Sequence, residues 1–281
     1  MNIQTICICG AGTMGSGIAQ VAAASGFNTI LYELNETVLE KAKTSIQTSL
    51  QKLLDKGKIT EDERTSIFNR IIFTSDIKNC KADVVIEAII EKLDVKVSLF
   101  NQLAEINPSN TIFASNTSSL SISKIAKEVN SPERVGGMHF FNPAPLMKLV
   151  EIVKGETTAE EIIQSLVDLT KKMNKIPVVC KDAPGFIVNR VARPYYIEAL
   201  RLAEEGKGDF NTIDKLLEAS GFKMGPFKLM DLIGNDVNFA VSSSVYDQLG
   251  NPERLKPSYI QKEKVDKGEL GKKSGKGYYA Y

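Results

Sequence analysis

An α/β fold is predicted: a mostly parallel sheet covered by helices and carrying an inserted helical hairpin, followed by an all-helical C-terminal domain. Three observations predict it. Short apolar runs alternate with helical patterns through the first two thirds of the chain, as in βαβ units. A stretch of about two helices separates the second apolar run from the next, more than a crossover needs. Beyond Lys181-Asp182-Ala183-Pro184-Gly185 the strand-like runs stop, and Pro194, Pro226, Pro252 and Pro257 punctuate helical patterns. The boundary is placed there, giving domains 1–184 and 185–281.

Element by element, Ile3 to Cys9 reads as a buried strand and Met14 to Ala24 as an alanine-rich helix. Asn28 to Tyr32 is the second strand. The hairpin follows, with one amphipathic helix from Glu36 to Lys56, a break at Gly57, and a second helix starting near the cap-like Thr60-Glu61-Asp62-Glu63. Asp83 to Ala88 is a strand, Glu91 to Glu105 a helix, and Thr111 to Ser115, Arg134 to His139 and Lys148 to Val153 further strands. A helix from Thr158 to Met173 and a strand from Ile176 to Cys180 close this half. The tail Gly271-Lys272-Lys273-Ser274-Gly275-Lys276-Gly277-Tyr278-Tyr279 has the composition of a flexible end, but its tyrosines predict that it docks.

The composition excludes several classes. The 281 residues carry a net charge of +1, with 43% hydrophobic and 25% charged residues, so no global field favours nucleic acid or a membrane surface. No apolar run approaches the roughly 18 residues of a membrane span. No basic leader precedes the first strand, and a cytoplasmic protein is expected. Cys7, Cys9, Cys80 and Cys180 have neither CxxC nor metal spacing, so no metal is expected; all four read as small buried hydrophobes of a reducing compartment. Cys7 and Cys9 lie two apart in a strand and point to one face.

The chemistry is carried first by Gly10-Ala11-Gly12-Thr13-Met14-Gly15, between a strand and a helix. Gly10 allows the tight turn, Gly12 the approach of a pyrophosphate, and Gly15 close packing of helix on strand. The helix N-terminus supplies N–H groups for the phosphates. Glu33 ends the second strand about twenty residues on, where a carboxylate bonds the adenosine ribose hydroxyls and repels a 2′-phosphate. The first domain is therefore a Rossmann-type one, with NAD preferred over NADP. A glycine turn used for packing alone would leave Glu33 unexplained.

Hydride transfer from an alcohol needs a proton acceptor, and the chain has one histidine, His139, within Gly136-Gly137-Met138-His139-Phe140-Phe141-Asn142-Pro143. A lone histidine next to phenylalanines also fits a half-buried structural residue.

These motifs recur in one family. Gly10-Ala-Gly-Thr-Met-Gly-Ser-Gly-Ile-Ala19, Glu87-Ala-Ile-Ile-Glu91, Ser115-Asn-Thr-Ser-Ser119, His139-Phe-Phe-Asn-Pro143, Pro184-Gly-Phe-Ile-Val-Asn-Arg190, Met224-Gly-Pro-Phe227 and the tail 271–279 together resemble the 3-hydroxyacyl-CoA dehydrogenase family. The resemblance runs the full length, in the family's order. The length fits its stand-alone members, such as the bacterial 3-hydroxybutyryl-CoA dehydrogenases. Many members carry aspartate where this chain has Glu33.

The resemblance implies a catalytic pair of His139 and Glu151, with Ser118 contacting substrate and cofactor and Asn189 near the substrate oxygen. It implies that Glu91, Lys96, Asn142 and Lys273 surround the nicotinamide half of NAD. For an acyl-CoA substrate it points to Ser49 and Lys56, which share a helical face with Lys52. A homodimer formed through the helical domain is implied as well. Two other readings stay open. A dehydrogenase of free 3-hydroxy acids usually places a lysine on the first helix after the boundary, but no lysine occurs between Lys181 and Lys207. A binding or structural protein that kept the fold, like the lens crystallins resembling this family, needs none of His139, Glu151, Ser118 and Asn189.

Overall fold

The computed structural model describes residues 2–281 and separates into two compact units, the first ending at Ala183 and the second running Pro184–Tyr281. The first unit is built on an eight-stranded sheet. Its strands are β1 (Thr5–Cys9), β2 (Asn28–Tyr32), β3 (Ile71–Thr74), β4 (Val84–Glu87), β5 (Ile112–Ser115), β6 (Val135–Phe140), β7 (Leu149–Lys154) and β8 (Ile176–Lys181). They lie in the order β3-β2-β1-β4-β5-β6-β7-β8. The first six are parallel; β7 runs antiparallel to β6, and β8 parallel to β7. β4, β5 and β6 are buried on both faces, which is why they read as continuous apolar runs rather than alternating ones.

Helices α1 (Thr13–Ala24), α2 (Glu36–Asp55), α3 (Glu61–Asn69), α4 (Leu93–Ile106), α5 (Ile122–Lys127) and α6 (Glu160–Lys172) accompany this sheet. The expected hairpin is α2 and α3. Asn35 caps α2 by accepting from the N–H groups of Thr37 and Val38, and Thr60 with Glu63 forms a capping box on α3. Gly57, at φ +63°, makes the turn between them. Leu39, Ala42, Ile46 and Leu50 recur at helical spacing and are the buried face of α2.

Two elements were not expected. The hairpin returns through β3, a four-residue edge strand with Ile72 exposed, before β4 begins. The six-residue α5 follows the Ser115–Ser119 run. A boundary also shifts: the helix predicted from Glu91 begins at Leu93, with Lys92 as its N-cap, and this leaves Glu91 in the preceding loop.

Cys7 and Cys9 point to one face as expected, their sulfurs 3.8 Å apart, and all four cysteines are free and buried. No helix among the described residues is long and apolar enough to cross a membrane.

The second unit consists of α7 (Val188–Glu204), α8 (Phe210–Ala219), α9 (Pro226–Ile233), α10 (Asn235–Gln248) and α11 (Tyr259–Asp266). Phe210, Phe227 and Tyr278 pack mutually in its core, with ring centroids 4.6 to 5.0 Å apart. The tail is docked rather than loose. The buried carboxylate of Asp231 accepts from the N–H groups of Tyr278 and Tyr279, each at 3.0 Å, and from the Tyr281 hydroxyl at 3.1 Å. Asp214, equally buried, accepts from the Tyr279 hydroxyl at 2.7 Å. Gly277 permits the approach, since a Cβ there would lie 1.9 Å from Asp231 Oδ1.

Candidate active site

The C-terminal ends of β1, β4, β5 and β6 share one edge of the sheet, and the strand order reverses direction at β1. The glycine loop leaves β1 at that point. Gly10 has φ +100°, and a Cβ on it would lie 2.6 Å from the Ala88 carbonyl oxygen. A Cβ on Gly15 would lie 1.7 Å from the Gly10 carbonyl oxygen, so only glycine lets α1 sit this low on the loop. Gly12 differs from both, because nothing lies within 4 Å of where its Cβ would be. It caps α1 without a side-chain bond, and no acid stands in the first turn, which Thr13 and Met14 open. Uncapped N–H groups, the positive end of a helix and open space beside a glycine fit a pyrophosphate.

Glu33 stands one residue past β2. Its Oε2 accepts from the Ala11 N–H at 3.0 Å and its Oε1 from the Asn35 N–H at 3.1 Å. The carboxylate is thus fixed against the glycine loop, while each oxygen keeps acceptor capacity for a ribose hydroxyl.

Beside this loop, a charged network ties the end of β4 to the end of β5. Glu87 and Ser115 are register partners, and the Ser115 hydroxyl donates to Glu87 Oε2 at 2.6 Å. Oε1 of the fully buried Glu87 accepts from the Ile89 N–H at 2.7 Å and from the Lys96 ammonium at 2.5 Å. Lys96, 1% exposed, also lies 3.1 Å from Glu91 Oε2. Glu91 in turn gathers the next loop on Oε1, accepting from the Thr117 hydroxyl at 2.5 Å, the Ser118 N–H at 3.1 Å, the Ser119 N–H at 3.2 Å and the Ser119 hydroxyl at 2.8 Å. Burial works to raise the Glu91 carboxyl, but the Lys96 ammonium and these hydroxyls outweigh it and hold it below the usual carboxylate range. The expected residues Glu91, Lys96 and Ser118 therefore meet. Lys96 stands behind Glu91, its ammonium taken up by two carboxylates. Glu87 was read only as part of a motif, although a carboxylate ending a strand of Val and Ile was a signal that it has a buried partner.

One strand further on, His139 and Glu151 are directly opposed in the β6–β7 pair. His139 Nδ1 lies 2.8 Å from Glu151 Oε2, with the imidazole 6% exposed and the carboxylate fully buried. A carboxylate only accepts, so Nδ1 is assigned the proton, and the lone pair of the neutral ring falls on Nε2. The ring of Phe141 lies 4.6 Å from that of His139, centroid to centroid. Gly137 lets β7 come this close, as a Cβ there would lie 2.6 Å from Val153 Cβ. Asn116 ties this strand to the Ser118 loop by accepting the Phe140 N–H at 2.8 Å.

Asn142 is exposed two residues past the end of β6. The turn that follows is held by the buried Lys175 ammonium, which donates to the carbonyls of Ala144 at 2.5 Å and Met147 at 2.8 Å. The same turn rests on α1, where a Cβ on Gly17 would lie 3.2 Å from Ala144 Cβ.

The remaining expected residues are on other elements. Ser49 and Lys52 are on α2 and Lys56 is its C-cap; Ser49 is half-buried beside the Leu39–Leu50 stripe, and both lysines are exposed. Asn189 and Lys273 belong to the second unit. Asn189 is the second residue of α7, and its carbonyl accepts from Arg193 Nε at 3.0 Å. Lys273 donates to Asp236 at 2.7 Å.

Residues 5–183 match the family described as 3-hydroxyacyl-CoA dehydrogenase, NAD binding domain, and residues 185–281 match its C-terminal domain. The chain is 49% identical over 281 residues to 3-hydroxyadipyl-CoA dehydrogenase of Escherichia coli, covering 99% of this chain and 59% of that protein. It thus spans under two thirds of that relative's length. It is 41% identical to a probable 3-hydroxybutyryl-CoA dehydrogenase of Bacillus subtilis, over 100% of this chain and 98% of the relative. The crystal structure of (S)-3-hydroxybutyryl-CoA dehydrogenase from Ralstonia eutropha superposes with a TM-score of 0.94 at 37% identity, covering 100% of this chain and 99% of that one. NAD is the cofactor of the matched domain. With both of its family domains matched in order, the chain belongs to the 3-hydroxyacyl-CoA dehydrogenase family.

Proposed function

We propose that this chain interconverts a 3-hydroxyacyl-CoA and the corresponding 3-oxoacyl-CoA, with 3-hydroxybutyryl-CoA and acetoacetyl-CoA as the substrate pair. The observation that carries this reading is the buried 2.8 Å contact of His139 with Glu151, beside the glycine loop's edge of the sheet. Bound NAD+ would accept the hydride from C3, held by the backbone of residues 10–15 with Glu33 on the adenosine ribose and Glu91, Lys96, Asn142 and Lys273 toward the nicotinamide half. In the oxidative direction His139 Nε2 takes the proton of the 3-hydroxyl. Glu151 keeps the ring in the tautomer that exposes a lone pair at Nε2, and offsets the imidazolium charge once the proton arrives. Ser118 and Asn189 hydrogen-bond the substrate oxygen and stabilise its negative charge in the reverse direction. Ser49, Lys52 and Lys56 form a polar and cationic face for the phosphates of coenzyme A.

The reading assigns the second unit to substrate binding and to pairing with a second copy of the chain. Support comes from Val191, Leu216, Phe222 and Leu232, each at least 50% exposed on its helices or the connections between them. Sedimentation equilibrium checks the homodimer: a monomer at micromolar concentration would remove that part.

The deciding assay is oxidation of NADH followed at its absorbance with acetoacetyl-CoA as substrate. Turnover on the CoA thioester and none on free acetoacetate is expected. Preference for the free acid, or binding of NADH with no turnover of either compound, would reject the reading. Substituting longer and dicarboxylic 3-oxoacyl thioesters in the same assay fixes the chain length served.

A further inference from the structure

Glu87, Lys96 and Glu91 differ from an ordinary buried ion pair in their charge count. Lys96 contributes one positive charge and the two carboxylates two negative ones, and among the described residues no other ammonium or guanidinium group pairs with either carboxylate. Glu87 accepts hydrogen bonds from three donors: the Lys96 ammonium, the Ile89 N–H and the Ser115 hydroxyl. Glu91 is held in its ionised form by the same ammonium and by Thr117, Ser118 and Ser119. The set therefore carries one excess negative charge. It sits at the ends of β4 and β5, and the Ala88 carbonyl oxygen between its two carboxylates closes against Gly10 of the glycine loop. Glu87 is fully buried, so water does little to screen it.

We infer that Glu87, acting through Lys96 and Glu91, sets the relative affinity of the site for the two redox forms of its cofactor, favouring the oxidised one. This rests on the reading above that Ser118 and Glu91 face the nicotinamide. The oxidised ring carries a positive charge and the reduced ring carries none, so one uncompensated negative charge nearby attracts the first and is indifferent to the second. Had a second lysine neutralised the set, the preference would vanish while the hydrogen bonds remained. Glu87 is thus a positioning residue with an electrostatic output: it fixes Lys96, and through Lys96 the charge presented at Glu91.

The test is calorimetric titration of the full chain with NAD+ and, separately, with NADH, without substrate. Glu87→Gln keeps the side chain's shape and removes one charge. The ratio of the NAD+ dissociation constant to that of NADH is expected to rise roughly tenfold, through weaker NAD+ binding, the scale of one charge acting across a partly screened distance. Glu87→Asp keeps the charge and should keep the ratio even if both affinities fall. Equal weakening of both forms in Glu87→Gln would overturn the inference and leave the network a purely structural brace. If Glu87→Gln does not fold, Glu91→Gln removes a charge from a side chain that is 37% exposed, and its ratio decides in the same way. Ser118→Ala separates the two levels. Lost turnover of acetoacetyl-CoA there, with an unmoved ratio in Glu87→Gln, rejects the inference alone; unchanged turnover there together with an unmoved ratio rejects the site reading as well.

Discussion

His139 and Glu151 are non-sequential neighbours made adjacent by strand register: residue opposes residue in an antiparallel pair, and Nδ1 meets Oε2 at 2.8 Å. His139→Gln keeps a polar side chain of similar reach but cannot take a proton at neutral pH. A fall in kcat of roughly a hundred- to ten-thousand-fold is expected, with NADH affinity retained. Steady-state kinetics beside an NADH titration checks it, and near-normal turnover would remove His139 from the mechanism.

Glu33 has both oxygens pinned, on Ala11 and Asn35, next to the place where an adenosine ribose is expected. A 2′-phosphate would bring negative charge against that carboxylate, so NADH should bind more tightly than NADPH. Fluorescence titration with each nucleotide measures the preference, and Glu33→Ala should narrow it. Tighter NADPH binding by the unaltered protein would contradict the placement.

Lys56 is exposed at the end of α2, at the turn opened by Gly57. Lys56→Glu reverses one charge on the face assigned to coenzyme A. The Michaelis constant for acetoacetyl-CoA should rise roughly tenfold while NADH binding stays put, as expected of a charge-assisted phosphate contact. Loss of both ligands by the same factor would move the coenzyme A site elsewhere.

Asp231 gathers the tail, and Gly277 is the residue that lets it. Gly277→Ala places a Cβ where Asp231 Oδ1 now lies and should cost about 1–3 kcal/mol, the usual scale for overpacking. Urea unfolding, read beside proteolysis of the tail, measures this. A stable variant with a protected tail would show that the segment has room to shift.

Glu269 binds the Lys264 and Lys276 ammonium groups, and those two hold its carboxyl down to about 2. A folded-state value below the ordinary carboxylate value stabilises the fold at and above that ordinary value, about 4.3, and the contribution drains away as pH falls toward 2. The protection of tail amides, referred to intrinsic exchange at each pH, should therefore fall across that window. Glu269→Gln should exchange faster at neutral pH and lose that part of the pH dependence, and an unchanged profile in the variant would assign the effect to other groups.

How much of this was legible beforehand depends on the range of each interaction. The capping box at Thr60 is local: its residues sit together in sequence, and the helix start was legible there. β3 was missed because four edge residues after a helix carry too little periodicity to stand out. Glu91 was assigned to a helix because the pattern of α4 extends back to it; its actual place in the loop depends on Lys96 and the Ser118 backbone, which no local pattern announces. The clasp on Asp231 spans more than forty residues of chain and was visible only as a hint from the tyrosines. Glu151 opposite His139 was reached through family likeness, since register between two strands is not written in either one alone.

The buried cysteines have a practical consequence for following this chain in solution. All four thiols, Cys7, Cys9, Cys80 and Cys180, lie in the first unit. The chain has no tryptophan, and seven of its eight tyrosines, from Tyr195 to Tyr281, lie in the second. Thiol labelling therefore clocks the opening of one unit, while tyrosine emission tracks the other, with no probe to be engineered. A single sample can thus tell whether the two halves come apart together or in turn.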